Sequence, residues 1–316
     1  MDPIEVLELC ARASDEGAPS DVLVPHVFTS GDYEAMWRRD PDKVRQILDR
    51  LMCGVHADDG LDLLMKSGAL NALLPELVAI KDLGDDPAST LHKDVWTHTQ
   101  NVVMGVPAVV ELRYSALFHD VGKALTRKFD GRKVTFHNHD VVGARLVLNV
   151  ELRLGLFGDD GALFSTVRSL VLNHLRPAGY KKTWTDSGVR RLLVDVGGLE
   201  GFERLMQLSR ADLTTKNPTK RANCVRRGDE LEARVRAVLA ADAAPKLPKG
   251  TMGLIIERRV LPVGPALNLV RDGLEQMLRV GTLPTGHDAQ WYATEGLRLL
   301  LAQGPVVGIH DKLVST

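Results

Sequence analysis

The sequence predicts an all-α fold with at most one short β-hairpin, and three observations predict it. Aromatic residues are only 5% of the chain. Alternating β-branched runs are rare, and apolar residues recur at i, i+3 and i+4 through most segments, the period of an amphipathic helix. The exception is "TRKFDGRKVTFHNH" (126–139), where Asp-Gly between two short alternating segments signals a hairpin.

The elements follow in order. "DPDKVRQILDRLMCG" (40–54) has an Asp-Pro start, a Gly stop and an apolar stripe of Val44, Ile47, Leu48 and Leu51, so it reads as one amphipathic helix. "GLDLLMKSGALNALLPEL" (60–77) reads as short helices broken at Gly68 and Pro75. The mainly helical stretch from about Asp94 to Thr215 carries five of the ten histidines. "AADAAPKLPKG" (240–250) reads as a Pro/Ala/Lys hinge, followed by a small helical unit centred on "VGPALNLVRDGLEQMLRVGTLP". The expected domains are 1–91, 92–228 and 229–316.

A chain of 316 residues with 44% apolar and 26% charged residues can bury a large core. Its formal net charge of −1 points to neither a polyanion nor a membrane. Cys10, Cys53 and Cys224 are far apart and form no CxxC pair, which argues against a disulfide framework and a zinc ribbon. "MDPIEVLELC" has no basic n-region, and no apolar run approaches ~20 residues; a soluble, cytoplasmic chain is expected.

The chemistry lies in ligand-type residues on apolar faces. His98 shares a stripe with Val95 and Val102, Asp120 with Leu117, Val121 and Ala124, His174 with Val167, Leu170 and Val171, and Asp212 with Leu205 and Leu208. A single histidine so placed is more often a hydrogen-bonded core residue. Buried carboxylates must be paired or metal-bound, and Arg113, Lys123 or Arg127 are the alternative partners for these. The series His98, His119-Asp120, His139, His174, Asp212 favours one or two divalent ions. Imidazole and carboxylate without thiolate suit Mn, Fe, Ni, Co, Zn or Mg. Asp120 is the natural bridge between two ions, which would acidify water and offset phosphoryl charge. Lys123, a turn after His119, reaches a phosphoryl oxygen, and Gly122 either leaves room beside the metal or serves helix packing.

These residues resemble the H…HD…D pattern of HD-domain phosphohydrolases, and more narrowly the neck, HD and tail part of bacterial CCA-adding tRNA nucleotidyltransferases. The resemblance rests on "HKDVWTHT", "LFHDVGKALTR", "FHNHDVVGARL", "LVLNHLRPAGY", "WTDSGVRRL" and "SRADLTTK" and runs from about residue 35 to 305. By resemblance, His98, His119, Asp120 and Asp212 are the H…HD…D positions, and His139 and His174 are the added histidines of two-metal members. The family's Gly-Ser loop and paired-aspartate motif have no counterpart before residue 92; Asp58-Asp59 and Asp85-Asp86 read as solvated acids. The resemblance therefore implies an HD helical bundle with flanking neck-like and tail-like helices. It implies 2′,3′-cyclic phosphodiesterase, 2′-nucleotidase and phosphatase activities rather than templated CCA addition.

Two basic stretches follow the ligand-type residues His174 and Asp212. Arg176, Lys181, Lys182, Arg190 and Arg191 interleave with Tyr180 and Trp184, and Lys216, Lys220, Arg221, Arg226 and Arg227 occur with no acid among them. Cations plus aromatics suit single-stranded RNA, though a solvated charged face explains any one of them. The expectation is hydrolysis of a 2′,3′-cyclic or terminal phosphate at an RNA end, tRNA first. Lys123 and Arg127 would hold the anion, and His92 or His137 would protonate the leaving oxygen. A separate ligase, kinase or nucleotidyltransferase is the implied partner. The rivals are a nucleotidase or cyclic-nucleotide phosphodiesterase on small nucleotides, and a non-catalytic tRNA-binding companion of a separate nucleotidyltransferase. His287-Asp288 and His310-Asp311 lack supporting ligands and read as surface pairs.

Overall fold

The computed structural model describes residues 2–18, 28–81, 83, 94–129, 134–159, 161–215, 217–258, 260 and 263–302. It divides into two compact units, Met1–Val235 and Arg236–Thr316. The expected boundary between residues 91 and 92 lies outside the described residues, as do Asp85-Asp86, His92, Lys216 and His310-Asp311.

In the first unit the chain begins with α1 (Pro3–Glu16) and α2 (Ser30–Arg39), each opened by a capping box, Asp2 with Glu5 and Thr29 with Asp32. Next come α3 (Pro41–Cys53), α4 (Ala57–Lys66), α5 (Ala69–Leu73) and α6 (Pro75–Lys81). The expected breaks are present: Asp40 caps α3, Gly68 adopts the left-handed conformation at φ 79°, and Pro75 starts α6. α1 packs on α3 and α4.

Next are α7 (Val95–Gly105), α8 (Val110–Phe118), α9 (Lys123–Thr126), β1 (Arg127–Phe129), β2 (Val134–Phe136), α10 (His139–Leu154), α11 (Ala162–Asn173), α12 (Asp186–Asp195) and α13 (Gly198–Ala211). α8 is the axis of this bundle. All its residues from Leu112 to Phe118 are buried, and it packs on α3, α7, α11 and α13. Each fully buried side chain there, such as Leu117 or Phe118, contributes ~1.5–3 kcal/mol. β1 and β2 pair antiparallel with Arg127 opposite Phe136, Lys128 opposite Thr135 and Phe129 opposite Val134; the Asp130-Gly131 turn lies outside the described residues.

Two expectations need correction. Asp120 does not share a helical face with Leu117 and Ala124, because α8 ends at Phe118 and tight turns follow, with the Val121 amide bonded to Phe118 O and the Lys123 amide to Asp120 O. Residues 240–243 are not hinge. They finish α14 (Pro218–Ala243), since alanine favours helix, and Pro245 follows.

The second unit, taken by itself, contains α15 (Thr251–Glu257), α16 (Pro265–Arg279), α17 (Ala289–Trp291), a π-helical turn (Tyr292–Gly296) and α18 (Leu297–Ala302). Its core joins Ile255, Val270, Leu274, Met277, Tyr292 and Leu300. His287 is exposed and stacks on Trp291, centroids 4.0 Å apart. No helix among the described residues is long and apolar enough to cross a membrane.

Candidate metal centre

The ligand-type side chains stand mostly at helix ends. His119, His174 and Asp212 are the C-cap residues of α8, α11 and α13. The last carbonyls of a helix lack intrahelical partners and carry its negative pole, so three such poles converge where cations would bind. Two histidines use those carbonyls: His119 Nδ1 lies 2.7 Å from Ala116 O and His174 Nδ1 2.6 Å from Val171 O. His139 opens α10 behind Asn138, which is left-handed at φ 61°, and its Nδ1 lies 2.8 Å from Phe136 O. A carbonyl only accepts, so these Nδ1 atoms donate and each Nε2 is turned inward. His98, in the first turn of α7, instead pairs Nδ1 with Thr214 Oγ1 at 3.2 Å.

The inward atoms form two triplets, His98 with His119 and Asp212, and Asp120 with His139 and His174. In the first, His98 Nε2 lies 3.3 Å from His119 Nε2 and 3.0 Å from Asp212 Oδ1, and His119 Nε2 lies 3.7 Å from that oxygen. In the second, His139 Nε2 lies 3.2 Å from His174 Nε2 and 3.2 Å from Asp120 Oδ1, with His174 4.0 Å from it. Bonds of ~2.0–2.2 Å to a common ion produce separations of this size. Asp120 joins the triplets: Oδ1 faces the second, while Oδ2 is 3.4 Å from His98 Nε2 and 3.1 Å from His119 Nε2. His139 and His174, whose Nδ1 atoms donate to carbonyls, face each other through Nε2 atoms that can only accept, an arrangement suited to a cation between them. The donor set therefore fits divalent metal.

In the metal-free protein a proton takes part of that role. Burial opposes charge on His119, yet the Asp120 and Asp212 carboxylates push its pKa up to about 10. Burial likewise opposes charge on His98, and hydrogen bonds to Asp120 and Asp212 overcome it to raise the pKa. Burial would raise Asp120, but the His119 charge and hydrogen bonds from His119, His139 and His98 hold it well below the usual carboxylate range. Asp212 is held low against burial by hydrogen bonds from His119 and His98. His174 is pushed down to about 4 by burial and then by the charge on His119.

A cavity of about 390 Å³ opens onto the first triplet at His98 and Asp212, with Lys123, Phe136, Thr214, Thr215 and Lys220 around it. Lys123 Nζ bonds Asp120 Oδ2 and lies 5.6 Å from the Phe136 ring centroid. Gly122 is a packing residue, since a Cβ there would stand 2.1 Å from His139 O and 2.6 Å from Gly143 N.

The other expected site residues are dispersed. His137 is exposed between β2 and α10 and is not among the described residues lining the cavity; Arg127 is half-buried on β1. Arg176 is ion-paired to Asp195 at 2.6 Å with its guanidinium 5.7 Å from the Trp184 ring. Tyr180 is only 7% exposed and packs edge-on against Trp184, so its face is not presented to a base. Lys182 pairs with Glu230 at 3.1 Å. Lys181, Arg190, Arg191, Lys220 and Arg221 are exposed, and of these Lys220 lines the cavity. Sequence reasoning did not single out Thr214, Thr215 or Phe136; their place directly after Asp212 and before His139 was the available signal.

Residues 94–234 match the HD domain family, whose members are metal-dependent phosphohydrolases. The chain is 38% identical over 126 residues to the CC-adding tRNA nucleotidyltransferase of Thermus thermophilus, covering 38% of this chain and 28% of that protein. It is 33% identical over 135 residues to the multifunctional CCA protein of Halorhodospira halophila, 40% and 32% of the two chains. It is 29% identical over 272 residues to the bifunctional uridylyltransferase/uridylyl-removing enzyme of Mycobacterium tuberculosis, 78% of this chain and 30% of that one. The chain thus spans about a third of the length of the curated relatives it matches. Residues 94–234, which match the HD domain family, thus fold into a helical bundle that brings His98, the adjacent His119-Asp120 and Asp212 together.

Proposed function

We propose that the chain is a metal-dependent phosphohydrolase of RNA-end or nucleotide phosphoesters, with a 2′,3′-cyclic phosphate at an RNA end, that of tRNA first, as the preferred substrate. One observation carries the reading: the two oxygens of Asp120 are divided between two ligand triplets beside a cation-lined cavity. His98, His119 and Asp212 would hold one divalent ion and His139 and His174 the other, with Asp120 shared. Bound ions supply Lewis acidity and an acidified water at neutral pH.

The chain's own residues do the rest. Lys123 lines the cavity beside Asp120 and offers its ammonium to non-bridging phosphoryl oxygens. Lys220 adds a second cation on the same cavity. Thr214 fixes the ring of His98 through Nδ1, as outer-shell partners of metal-ligating histidines do. Val95, Phe136 and Leu213 supply the apolar part of the wall, suited to a sugar or base.

The test is turnover of 2′,3′-cyclic mononucleotides and cyclic-phosphate RNA with Mn, Co, Ni, Zn or Mg. A phosphomonoester product that Asp120→Ala abolishes is expected; no turnover under any metal, with wild type and variant alike, rejects the reading. Comparing an oligonucleotide with a mononucleotide separates RNA-end chemistry from a nucleotidase. Absence of bound metal together with salt-sensitive tRNA binding would favour a non-catalytic companion of a separate nucleotidyltransferase.

A second reading, uridylyl removal from an acceptor, is favoured by the extent of the Mycobacterium tuberculosis match, 78% of the chain against 38% for the Thermus thermophilus one. It is also hydrolysis of a phosphodiester. Release of UMP from a uridylylated peptide, faster than opening of a cyclic phosphate, would select it.

A further inference from the structure

The cavity, at about 390 Å³, is at the small end of the ~300–1,000 Å³ range of small-molecule pockets. It takes one nucleotide, so an oligonucleotide must leave the neighbouring nucleotide outside. The β1–β2 hairpin supplies a surface there. Residues directly opposite in an antiparallel pair share a face, and so do residues two apart along a strand. Arg127 is opposite Phe136, and Phe129 is opposite Val134, so Phe136, Arg127, Phe129 and Val134 lie on one face.

Phe136 lines the cavity, which makes this the cavity side of the hairpin. Phe129 is ~6.8 Å further along β1, two residues of rise. It is 50% exposed, and Leu125 before it is 69% exposed. Phe136 and Arg127 stand abreast on this face, and on the next rung Phe129 stands beside Val134, which is buried. Residues 121–129, "VGKALTRKF", carry Lys123, Arg127 and Lys128 with no acid. A solvent-exposed phenylalanine on a basic strand beside a phosphate site matches what single-stranded nucleic acid needs, a stacking plane with a nearby charge for the backbone.

We infer that the cavity face of the β1–β2 hairpin is a second nucleotide subsite, in which Phe129 stacks the base next to the nucleotide held in the cavity and Arg127 meets the phosphate joining the two. This inference rests on the phosphohydrolase reading for the identity of the cavity's ligand. It makes the preferred substrate a single-stranded RNA end rather than a free nucleotide.

The experiment measures binding apart from catalysis. Fluorescence anisotropy of a labelled single-stranded pentaribonucleotide is recorded on the full chain at fixed ionic strength with EDTA present. Competition by a mononucleotide is recorded alongside. Loss of one stacked base corresponds to roughly 5- to 150-fold in affinity. Phe129→Ala is expected to weaken the oligonucleotide by that factor and collapse its preference over the mononucleotide, while Phe129→Trp restores the preference. Thermal melting of each variant separates loss of the subsite from loss of the fold.

Equal oligonucleotide affinity in wild type and Phe129→Ala overturns the inference even if cyclic mononucleotides are hydrolysed. A Phe129-dependent preference in a protein that hydrolyses none of the phosphoesters keeps the subsite and removes the phosphohydrolase reading. If Phe129→Ala alters turnover of a uridylylated peptide and leaves RNA affinity unchanged, the face docks a protein and the inference is wrong.

Discussion

The two ligand triplets differ in what surrounds them. Asp120, His139 and His174 are all buried, whereas the first triplet reaches the cavity at His98 and most openly at Asp212, whose side chain is 30% exposed. The difference extends to protons. His174 is neutral above about pH 4 and offers its Nε2 without losing anything, while His119 holds its proton up to about pH 10. His119 is as buried as His174, so the proton contrast comes from the Asp120 and Asp212 carboxylates beside His119, while Asp212 keeps the first triplet open to the cavity.

The largest test of this contrast is Asp120→Ala, which removes the ligand shared by both triplets. Losing several kcal/mol of charge stabilisation corresponds to a drop in kcat/KM of about 1,000-fold or more. Metal analysis should show binding lost at both triplets rather than at one.

A pH series is next. His119, raised from 6.5 to about 10, contributes stability to the metal-free fold that is full below pH 6.5 and is lost as pH rises through about 10. Metal at the first triplet must displace that proton, so its affinity should climb by up to tenfold per pH unit within this window. His174, depressed to about 4, weakens the fold as pH falls from 6.5 towards 4 and displaces no proton above that range. Calorimetry in buffers of different ionisation enthalpy should find proton release tied to one of two binding events. Release from both, or from neither, would erase the contrast.

Thr214→Val removes the hydroxyl that orients His98 and should weaken metal at the first triplet by ~10–100-fold, with Thr214→Ser recovering it and the second triplet unaffected. The smallest effect is expected for Lys123→Met. Its ammonium bonds Asp120 Oδ2, so its loss should raise metal affinity a few-fold while raising KM for a phosphoester. A fall in metal affinity would mean that Lys123 supports the ligands rather than competing with them.

Much of this was legible in the sequence, unevenly. Helical periodicity predicted the α-helical body and the breaks at Gly68 and Pro75, and the six ligand-type residues read from pattern and resemblance are those the fold gathers into two triplets. Periodicity tells which face of a helix is apolar but not where its last hydrogen bond closes. His174 and Asp212 therefore read as continuing an apolar stripe although they cap helix ends, and Asp120 although it lies past the end of α8. The partner of His98 lies 116 residues away, a tertiary contact that no local spacing encodes. Tyr180 reads as an exposed aromatic among cations, and only packing against Trp184 shows its ring to be covered.

Gly122 sets a dimension of the centre. Its main chain touches that of His139 and Gly143 with no room for a methyl group, and it stands two residues from Asp120 on one side of the contact while His139 forms the other. The distance between the two halves of the centre is thus gauged by a spacer of zero thickness. A single carbon added at residue 122 would act as a shim, prising the start of α10 away and widening the gap that a shared carboxylate has to span.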